Sequence, residues 1–522
     1  MAAINLQNIR VYWLAFVAYW GIILFGYDTG IAGGVVSQKF FEQEFDMLNP
    51  DLTPNTKKTN EVSSNVVSVL QGGAFFGAIL SAPISAKIGR KWTLVAFSVI
   101  FMVGAILTTV AGGGSHGLKL IYAGRVISGF GIGAISAVSP AYVSECSPKD
   151  VRGRITGLFQ IMVAVGVMVS YFLNYGISLN DKLKASPLVW RVPFGFQLVP
   201  AGIMCLGLLT VAESPRWLAS VDRNEEALAN LAYLRKLHPE DPAVRHEMSE
   251  IEAAIMEERE ARKGLGLKEA FLGKGNFIRF VIAFVIFTLQ QWSGQNSVGY
   301  YAPQIFKAIG YTGTTPSLLA SGIYGVVKLV ATALFVFFFV EWLGRKLSLF
   351  ISALGMGIFF FIIGAILKTH PPPASYTGAV PQASQAMAGM IYIYVLFYSL
   401  GWGPLPWVYV ADIFPTRTRH YGLATASCTQ WLWNFVVSKE TPTIITNLGY
   451  KVFFMFGTIN ILGMGVFSLL IPETKGRSLE EMDVIFGSVS QQQRDRDVEK
   501  YEREIAHEQN DTTSQRSIEN KA

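Results

Sequence analysis

Apolar residues occur along this chain in long runs, each about 18 residues or more, separated by polar segments. Runs of this length match helices that cross the hydrocarbon core of a bilayer. The pattern predicts about twelve membrane helices in two groups of six. The first group covers residues 11–32, 63–85, 93–111, 119–142, 155–175 and 196–212, and the second covers 277–298, 317–340, 347–367, 386–410, 421–440 and 452–471.

The polar segments divide the chain into four parts. Residues 218–276 place charged and apolar residues at helical spacing, which predicts a helical linker domain on the membrane surface. Residues 484–522 have almost no apolar periodicity, which predicts a disordered tail. We therefore expect one six-helix half at 1–217, the linker, a second half at 277–483, and the tail.

Composition and charge exclude several classes of protein. Of the 522 residues, 51% are hydrophobic and only 15% are charged, so a soluble globule is excluded. The net charge of +6 arises with no basic run that carries interleaved aromatics, so we expect contact with lipid headgroups and no nucleic acid. Basic residues cluster in the loops after helices 2, 4, 8 and 10, which places those loops, both termini and the linker in the cytosol.

Motifs of catalysis and cofactor binding are absent from the sequence. There is no G-x-x-x-x-G-K-[ST] phosphate loop, and His246-Glu247 lacks a second histidine four residues later. The three cysteines share no metal-binding or redox spacing. We expect a protein that is not an enzyme and that holds no metal and no cofactor.

Three loop signatures occur twice. Gly89-Arg90-Lys91 recurs at 344–346, Arg152 recurs as Arg419, and Glu213 recurs as Glu473. Each separation is close to half the length of the chain. Repeats at corresponding places in two six-helix groups predict two similar halves with a binding site between them at mid-membrane.

These signatures, taken with others in order along the chain, resemble the sugar porter family of the major facilitator superfamily from helix 1 to Asp483. The other motifs are GYD, ESPRWL, QQWSGQN, YYAP, GWGPLPW and PETKGRSLEEMD. The segment YVADIFPTRTRHYG is similar to fungal members, in the branch of quinate and galacturonate permeases. The resemblance implies an all-α fold of twelve transmembrane helices in two halves, a plasma-membrane location, and transport of a small molecule by alternating access.

Two charged residues lie inside predicted membrane helices, Asp28 in the first and Arg125 in the fourth. An ionised side chain at the bilayer centre costs about 2.5 to 3.5 kcal/mol on insertion scales, so both should face the bundle interior, where they can pair. The resemblance implies that Asp28 takes the transported proton and that Arg125 controls its release. A static structural ion pair is the alternative.

Carboxamides form a second candidate set, made of Gln160 in helix 5 and of Gln290, Gln291 and Asn296 in helix 7. An amide donates and accepts, as each hydroxyl of a sugar does. Gln290 and Asn296 meet only if the helix breaks near Gly294, as helices at transporter sites often do. The resemblance implies that all four bind the sugar, and the alternative is that they hold helices together.

Aromatic residues provide the apolar wall expected of a sugar site. Trp407 and Trp431, with Tyr300 and Asn434, form the counterpart in the second half, and the resemblance points most directly to Trp407 and Asn434. Glycines and prolines at 401–406 interrupt helix 10, which indicates a gating element or a simple kink.

Lys328 lies in the middle of the eighth apolar run, where many hexose-transporting relatives have an asparagine. A buried ammonium group favours a carboxylate on the substrate, so sugar acids such as galacturonate or quinate are candidate substrates. The alternatives are a lysine bonded to helix carbonyls with a neutral sugar as cargo, and a residue that perturbs the proton site.

Charged residues at the cytosolic helix ends form a third set. In the resembling family such residues form salt bridges that clamp the two halves together in the outward-open state. One position departs from the family pattern: Ala86 replaces the usual acidic residue before the first GRK, whereas Glu341 precedes the second. The set consists of Arg90, Glu145, Arg152, Glu213, Arg216, Glu341, Arg345, Asp412, Arg419 and Glu473.

Together these features predict a proton-coupled symporter that imports a sugar or sugar acid, with protons and membrane lipid as its other partners. An uncoupled facilitator and a non-transporting nutrient sensor are the alternatives.

Overall fold

A computed structural model describes residues 8–487, except Leu52, Pro54, Leu265, Lys274, 340–343, 374–378, Thr416, Gly476 and Ser478. Every extended regular element in this part of the chain is helical. Most of the tail predicted at 484–522 lies outside the described residues.

The first half begins with a long helix and contains five further membrane-length helices, the last of them bent. Its sixth span runs over Leu188–Leu208, so the predicted span 196–212 was placed too late. The cause is Arg191, which interrupts the apolar run in sequence but reaches the carbonyl of Ala111 at the helix end. The helices are α1 Ile9–Val36, α2 Lys39–Glu44, α3 Thr56–Ile88, α4 Arg90–Val110, α5 Gly114–Cys146, α6 Lys149–Leu179, α7 Asp181–Lys184, α8 Leu188–Phe196 and α9 Leu198–Leu208.

The linker is helical, as its residue spacing indicates. Ser214 caps the first linker helix by accepting a bond from the Trp217 amide at 3.1 Å, and Pro215 occupies the first turn, where no amide donor is needed. Trp217 and Leu231 belong to a small apolar core shared by these helices. The helices are α10 Pro215–Ser220, α11 Asn224–Arg235, α12 Pro242–Arg262 and α13 Leu267–Leu272.

The second half repeats the pattern with more interruptions. Two π-helical segments, Phe335–Phe339 and Ile459–Gly465, continue its second and last spans. The α-helices are α14 Asn276–Gln291, α15 Gln295–Ala308, α16 Thr314–Leu334, α17 Arg345–Thr369, α18 Gln382–Ser399, α19 Leu405–Ile413, α20 Arg419–Leu448, α21 Lys451–Thr458, α22 Val466–Leu470 and α23 Leu479–Ile485.

Ten helices in the described part of the chain are long and apolar enough to cross a membrane. The tenth and eleventh predicted spans fall on α18–α19 and on α20. The first of these is interrupted between Ser399 and Leu405, and the second carries polar residues along its length. The all-α membrane class is therefore confirmed, and the count of twelve spans stays a prediction.

The sequence repeat is also a repeat in space. Gly89 joins α3 to α4 with φ of 94°, and Gly344 precedes α17 with φ of 80°, a region that favours glycine. A Cβ atom at Gly89 would meet the carboxylate of Glu213, and one at Gly344 would meet that of Glu473. In each half, the backbone turn at the GRK glycine therefore packs directly against the carboxylate of the repeated glutamate.

Among the described residues, the most extensive packing between the halves is made by α1 with α15, α3 with α20, and α6 with α16. Each half has a large apolar core, and a few residues cross between them: Val167 and Tyr171 of the first half join the core of the second, and Trp431 of the second joins the core of the first. Polar side chains between these cores form the site described next.

Candidate functional site

A buried ion pair lies at the centre of the first half. Arg125 on α5 donates from Nη1 to Oδ1 of Asp28 on α1 at 2.7 Å, and each side chain is only 1% exposed. Charges at membrane depth are expensive unless they are paired, so these two helices must keep the residues facing each other. The structure thus brings together the two charges singled out in the sequence.

The pair is incompletely hydrogen-bonded. Oδ1 of Asp28 also accepts a bond from Nε2 of Gln197 at 2.6 Å, and Nε of Arg125 donates to the carbonyl of Val66 at 3.1 Å. Within the described chain no hydrogen bond reaches Asp28 Oδ2 or Arg125 Nη2, although both are buried. Unsatisfied buried polar atoms are rare because each costs about 1 to 3 kcal/mol, and Oδ2 is an open position for a proton.

Gln197 was missed by the sequence reasoning. It lies at the junction of α8 and α9 and is 1% exposed. The available signal was its identity as the one carboxamide in the apolar run 196–212. Because a buried amide needs a hydrogen-bond partner, Gln197 indicates that a polar side chain lies beside it.

The break predicted near Gly294 is present. Gly294 has φ of 92° and separates α14 from α15. After the break, the chain returns so that Nδ2 of Asn296 donates to Oε1 of Gln291. A continuous helix places residues five apart on different faces, so the break creates this contact.

The amides form a chain that ends on a tyrosine. Gln291 donates to Oε1 of Gln290 at 3.2 Å, and Asn296 donates to Oδ1 of Asn434 on α20 at 3.3 Å. Asn434 then donates to the hydroxyl of Tyr300 at 3.1 Å. Five of the predicted substrate ligands are therefore in one hydrogen-bonded network with alternating donors and acceptors.

Gln290 also ties this network to the interruption in the tenth span. Its Nε2 donates to the carbonyl oxygens of Trp402 at 2.7 Å and Gly403 at 3.1 Å. These carbonyls lie between α18 and α19, where the helical ladder is interrupted, so the amide of Gln290 serves as their donor. Movement of this segment and of the amide network is consequently linked.

The two predicted tryptophans lie in different surroundings. Trp407 on α19 is half-buried, with its ring 4.6 Å from that of Phe287. Trp431 on α20 is 3% exposed and contacts Phe25 of α1 with ring centroids 5.6 Å apart. Trp431 therefore packs across the boundary between halves, whereas Trp407 stays within the second half.

Gln160 and Lys328 remain outside the network. Both are half-buried, Gln160 on α6 and Lys328 on α16. Neither side chain makes a hydrogen bond or an ion pair with any described residue. α6 and α16 pack against each other, so both positions lie on the helix pair that joins the halves.

At the cytosolic end of the first half, Arg90 and Glu145 form a close pair. Arg90 donates from Nη2 to Oε1 of Glu145 at 2.9 Å and from Nε to Oε2 at 3.1 Å, and Ser214 donates to Oε2 at 2.5 Å. Glu213 accepts bonds from the backbone amides of Arg90, Lys91 and Ser214. Burial nevertheless raises the pKa of the Glu213 carboxyl above its ordinary value.

The equivalent group in the second half is looser. Nε of Arg345 lies 3.3 Å from Oδ2 of Asp412, and Thr474 donates to the same oxygen at 2.9 Å. Glu473 accepts bonds from four backbone amides, those of Arg345, Lys346, Thr474 and Lys475. Burial acts to raise the pKa of Glu473, but these four bonds outweigh it and lower that pKa below its ordinary value.

The other predicted gate residues also stay on their own side. Arg216 pairs with Glu258 of the linker, and Arg419 donates to the carbonyl of Phe414 at 3.4 Å. The side chain of Arg152 and all of Glu341 lie outside the described residues. No cytosolic ion pair that the structure describes joins one half to the other, so the expected clamp is not among them.

The halves are instead joined at the extracellular side. Nζ of Lys307 on α15 donates to the carbonyl of Ser37 at 3.1 Å, and Nε2 of Gln304 donates to Ser63 at 3.4 Å. On the α3–α20 pair, Asn60 and Thr446 bond at 2.9 Å, and Lys439 bonds to Asn65. The loop charges predict that this side faces outward, and in that orientation the structure is closed to the outside.

Comparison with known proteins bears on this arrangement. The family model described as "Sugar (and other) transporter" matches residues 14–486. The chain belongs to this sugar transporter family. A probable quinate permease of Aspergillus clavatus is 37% identical over 486 residues, which is 92% of this chain and 88% of the relative. A quinate permease of Neurospora terricola is 37% identical over 92% of this chain and 89% of its own.

Solved structures of the xylose transporter XylE from E. coli are similar in fold. A partially occluded inward-open form matches with a TM-score of 0.73 and 25% identity, over 90% of this chain and 100% of that one. A XylE structure described as a major facilitator superfamily proton:xylose symporter matches with a TM-score of 0.73 and 27% identity, over 92% and 100%. This sugar transporter family member is thus a multi-pass membrane protein of the major facilitator fold, and it is a transporter, not an enzyme.

Proposed function

We propose that this transporter imports a hydroxylated substrate together with a proton, and that the proton binds Asp28. The observation that carries the proposal is the buried pair in which Asp28 Oδ2 has no partner within the described chain. Protonation there removes the charge that holds Arg125 Nη1 at 2.7 Å. The ion pair then becomes a weaker neutral contact, so α1 and α5 are free to change their relative position.

We assign recognition of the substrate to the amide network and its aromatic neighbours. Gln290, Gln291, Asn296 and Asn434 alternate donors and acceptors, which suits exchange of their mutual bonds for bonds to substrate hydroxyls. Trp407 and Trp431 are proposed to supply apolar ring surface for the C–H face of the substrate. Gln160 is proposed to contribute from the α6 side.

We propose a carboxylated substrate because of Lys328. Its ammonium group makes no bond to any residue that the structure describes, on the helix pair that joins the halves. A substrate carboxylate supplies the missing partner through a charge-assisted hydrogen bond. The relatives whose printed names include quinate, a cyclic polyol with a carboxylate, support this class.

The charge of the substrate decides which gradient drives uptake. A neutral sugar that enters with one proton carries one positive charge inward, and a potential of 100 mV contributes about 2.3 kcal/mol, or roughly fiftyfold accumulation. A monoanion that enters with one proton carries no net charge. Its accumulation then depends on the pH difference alone.

Uptake into proteoliposomes tests both parts of the proposal. Quinate, galacturonate, xylose and glucose are compared while the pH difference and the membrane potential are set separately. We expect accumulation of quinate or galacturonate to increase with the pH difference and to be independent of the membrane potential. Asp28→Asn should abolish accumulation but keep exchange, and the exposed carboxylate variant Asp46→Asn serves as the control. Unchanged accumulation by Asp28→Asn excludes Asp28 as the proton site, whereas equilibration without accumulation in the unmodified protein establishes the facilitator alternative.

A further inference from the structure

A cavity of about 260 Å³ lies within the second half. It extends from Ala308, Pro371 and Gly449, at the extracellular ends of their helices, to Ser297 and Phe456 near the helix break. Its wall is mostly aliphatic and aromatic, so it suits a hydrocarbon chain better than a hydroxylated substrate. It is separate from the amide network, because none of Gln290, Gln291, Asn296 or Asn434 lines it.

The inner end of the cavity touches the break between α14 and α15. A Cβ atom added to Gly294 would contact the rings of Phe360 and Phe456, and both rings line the cavity. Movement of α15 about this break therefore changes the shape of the cavity. Conversely, a molecule that fills the cavity resists this movement of α15.

The other side of α15 holds the extracellular side closed. The backbone carbonyl of Tyr300 contacts Gly33 so closely that a Cβ atom there has no space. Lys307 and Gln304 bond to Ser37 and Ser63 of the first half. For the outside to open, α15 must leave these partners and move toward the cavity behind it.

The mouth of the cavity is basic. Lys368 and His370 are exposed beside the lining residue Pro371, and Lys451 is exposed between Tyr450 and Val452, which also line it. The loops that join α15 to α16, α17 to α18 and α20 to α21 contain no aspartate or glutamate. An anionic headgroup at this rim therefore lies near exposed lysines, and the three loops themselves contribute no opposing charge.

We propose that one acyl chain of an anionic phospholipid occupies this cavity with its phosphate at the basic rim, and that it holds α15 against the first half. Occupancy stabilises the conformation that is closed to the outside. The lipid enters from the leaflet that faces the mouth of the cavity, at the ends of α15, α17 and α20. The lipid is thus a regulator of opening, independent of the cargo.

Photochemical crosslinking tests occupancy. The full chain is placed in nanodiscs with phosphatidylglycerol that carries a diazirine in one acyl chain, illuminated, and mapped by mass spectrometry. We expect labelling on the peptides that contain Phe360 and Phe456, reduced at least fivefold in Ala308→Phe. The control is Ala96→Phe, at an exposed position of α4 in the first half. Labelling that is unchanged by Ala308→Phe overturns the proposal.

The headgroup is tested with phosphatidylcholine that carries the same diazirine chain. We expect severalfold weaker labelling of the cavity peptides, and Lys451→Gln should reduce the difference between the two lipids. Equal labelling by both lipids in the unmodified protein contradicts an anionic occupant.

Coupling to opening is tested without any substrate. Ser63 is fully buried beneath α15, so Ser63→Cys reacts with an impermeant maleimide only when the outside opens. In nanodiscs of phosphatidylcholine alone, where the cavity of the unmodified protein lacks its anionic lipid, we expect Ala308→Phe, whose ring takes the place of the acyl chain, to slow this labelling severalfold, whereas Ala96→Phe leaves it unchanged. Equal or faster labelling contradicts the coupling. Size-exclusion profiles verify folding, and the smaller Ala308→Leu replaces Ala308→Phe if the latter is misfolded.

Discussion

The two halves share their cytosolic motifs but differ at the centre of the membrane. In each half the turn at the GRK glycine packs against a glutamate carboxylate, Gly89 against Glu213 and Gly344 against Glu473. The first half then holds the ion pair of Asp28 and Arg125 at its centre, whereas the second holds the neutral network that includes Gln290 and Asn434. A repeated scaffold therefore carries two kinds of polar interior.

The difference teaches what each interior is suited to do. An ion pair in a low-dielectric interior responds strongly to one proton, because protonation removes its main attraction. An amide network exchanges one set of neutral hydrogen bonds for another at little net cost. We infer that the first half is specialised for proton coupling and the second for substrate recognition.

The strongest test of this division removes the cation of the ion pair. Arg125→Ala leaves a buried carboxylate without its partner, which should lower the free energy of unfolding by about 3 to 5 kcal/mol and abolish accumulation. Thermal unfolding in detergent and proteoliposome uptake measure the two effects. The double variant Asp28→Asn/Arg125→Met should recover stability but not accumulation. Normal accumulation by Arg125→Ala refutes the coupling role.

Substrate charge gives the next largest effect. Lys328→Asn should raise KM for quinate or galacturonate at least tenfold and change KM for a neutral hexose little, because a charge-assisted hydrogen bond is worth about 1.5 to 3 kcal/mol. Concentration-dependent uptake measures it. Lys439→Asn, at the extracellular contact with Asn65, is the matched lysine control and should affect both substrates alike. Equal losses in Lys328→Asn remove the carboxylate assignment.

The third prediction tests whether the second half needs the helix break at Gly294 to position its amide side chains. Gly294→Ala should destabilise the protein by about 1 to 3 kcal/mol and weaken substrate affinity, because φ of 92° is unfavourable for alanine and Phe360 occupies the space. Gly389→Ala, in α18 with no neighbour within 4 Å, is the control and should be neutral or stabilising. Thermal unfolding measures the change in stability, and the shift of the unfolding temperature on adding substrate measures the change in affinity. Equal behaviour of the two variants shows that the break is dispensable.

The smallest expected effect concerns the two repeated glutamates. Glu473→Gln should destabilise the protein by about 1 kcal/mol more than Glu213→Gln. The Lys346 backbone N–H donates to Oε2 of Glu473 alone and loses that acceptor, whereas the Lys91 N–H keeps Oε1 of Glu213. The pKa shifts give the same order: burial favours neutral Glu213, whereas four backbone bonds favour charged Glu473. As pH falls, Glu213 therefore takes a proton before Glu473. Thermal unfolding at neutral pH compares the variants, and a reversed order contradicts the asymmetry.

Much of the architecture was predictable because membrane helices leave a strong pattern in sequence. The apolar runs predicted most helices to within a few residues, and the spacing of Gln290 and Asn296 indicated the break at Gly294. The sixth span was misplaced because Arg191 reads as polar, although it lies at a helix end. Gln197 was missed because one amide in an apolar run has no partner that sequence alone reveals.

The sequence by itself determined the all-helical membrane class, the repeated loop signatures and the residues that are too polar for lipid, because each of these is a local property of composition or spacing. Only the tertiary structure decided which oxygen of Asp28 is open, which amides bond to one another, and that no described ion pair at the predicted cytosolic ends joins the halves. These depend on how helices far apart in sequence pack together. Packing is set by the fit of side chains across interfaces, which no single run of residues records.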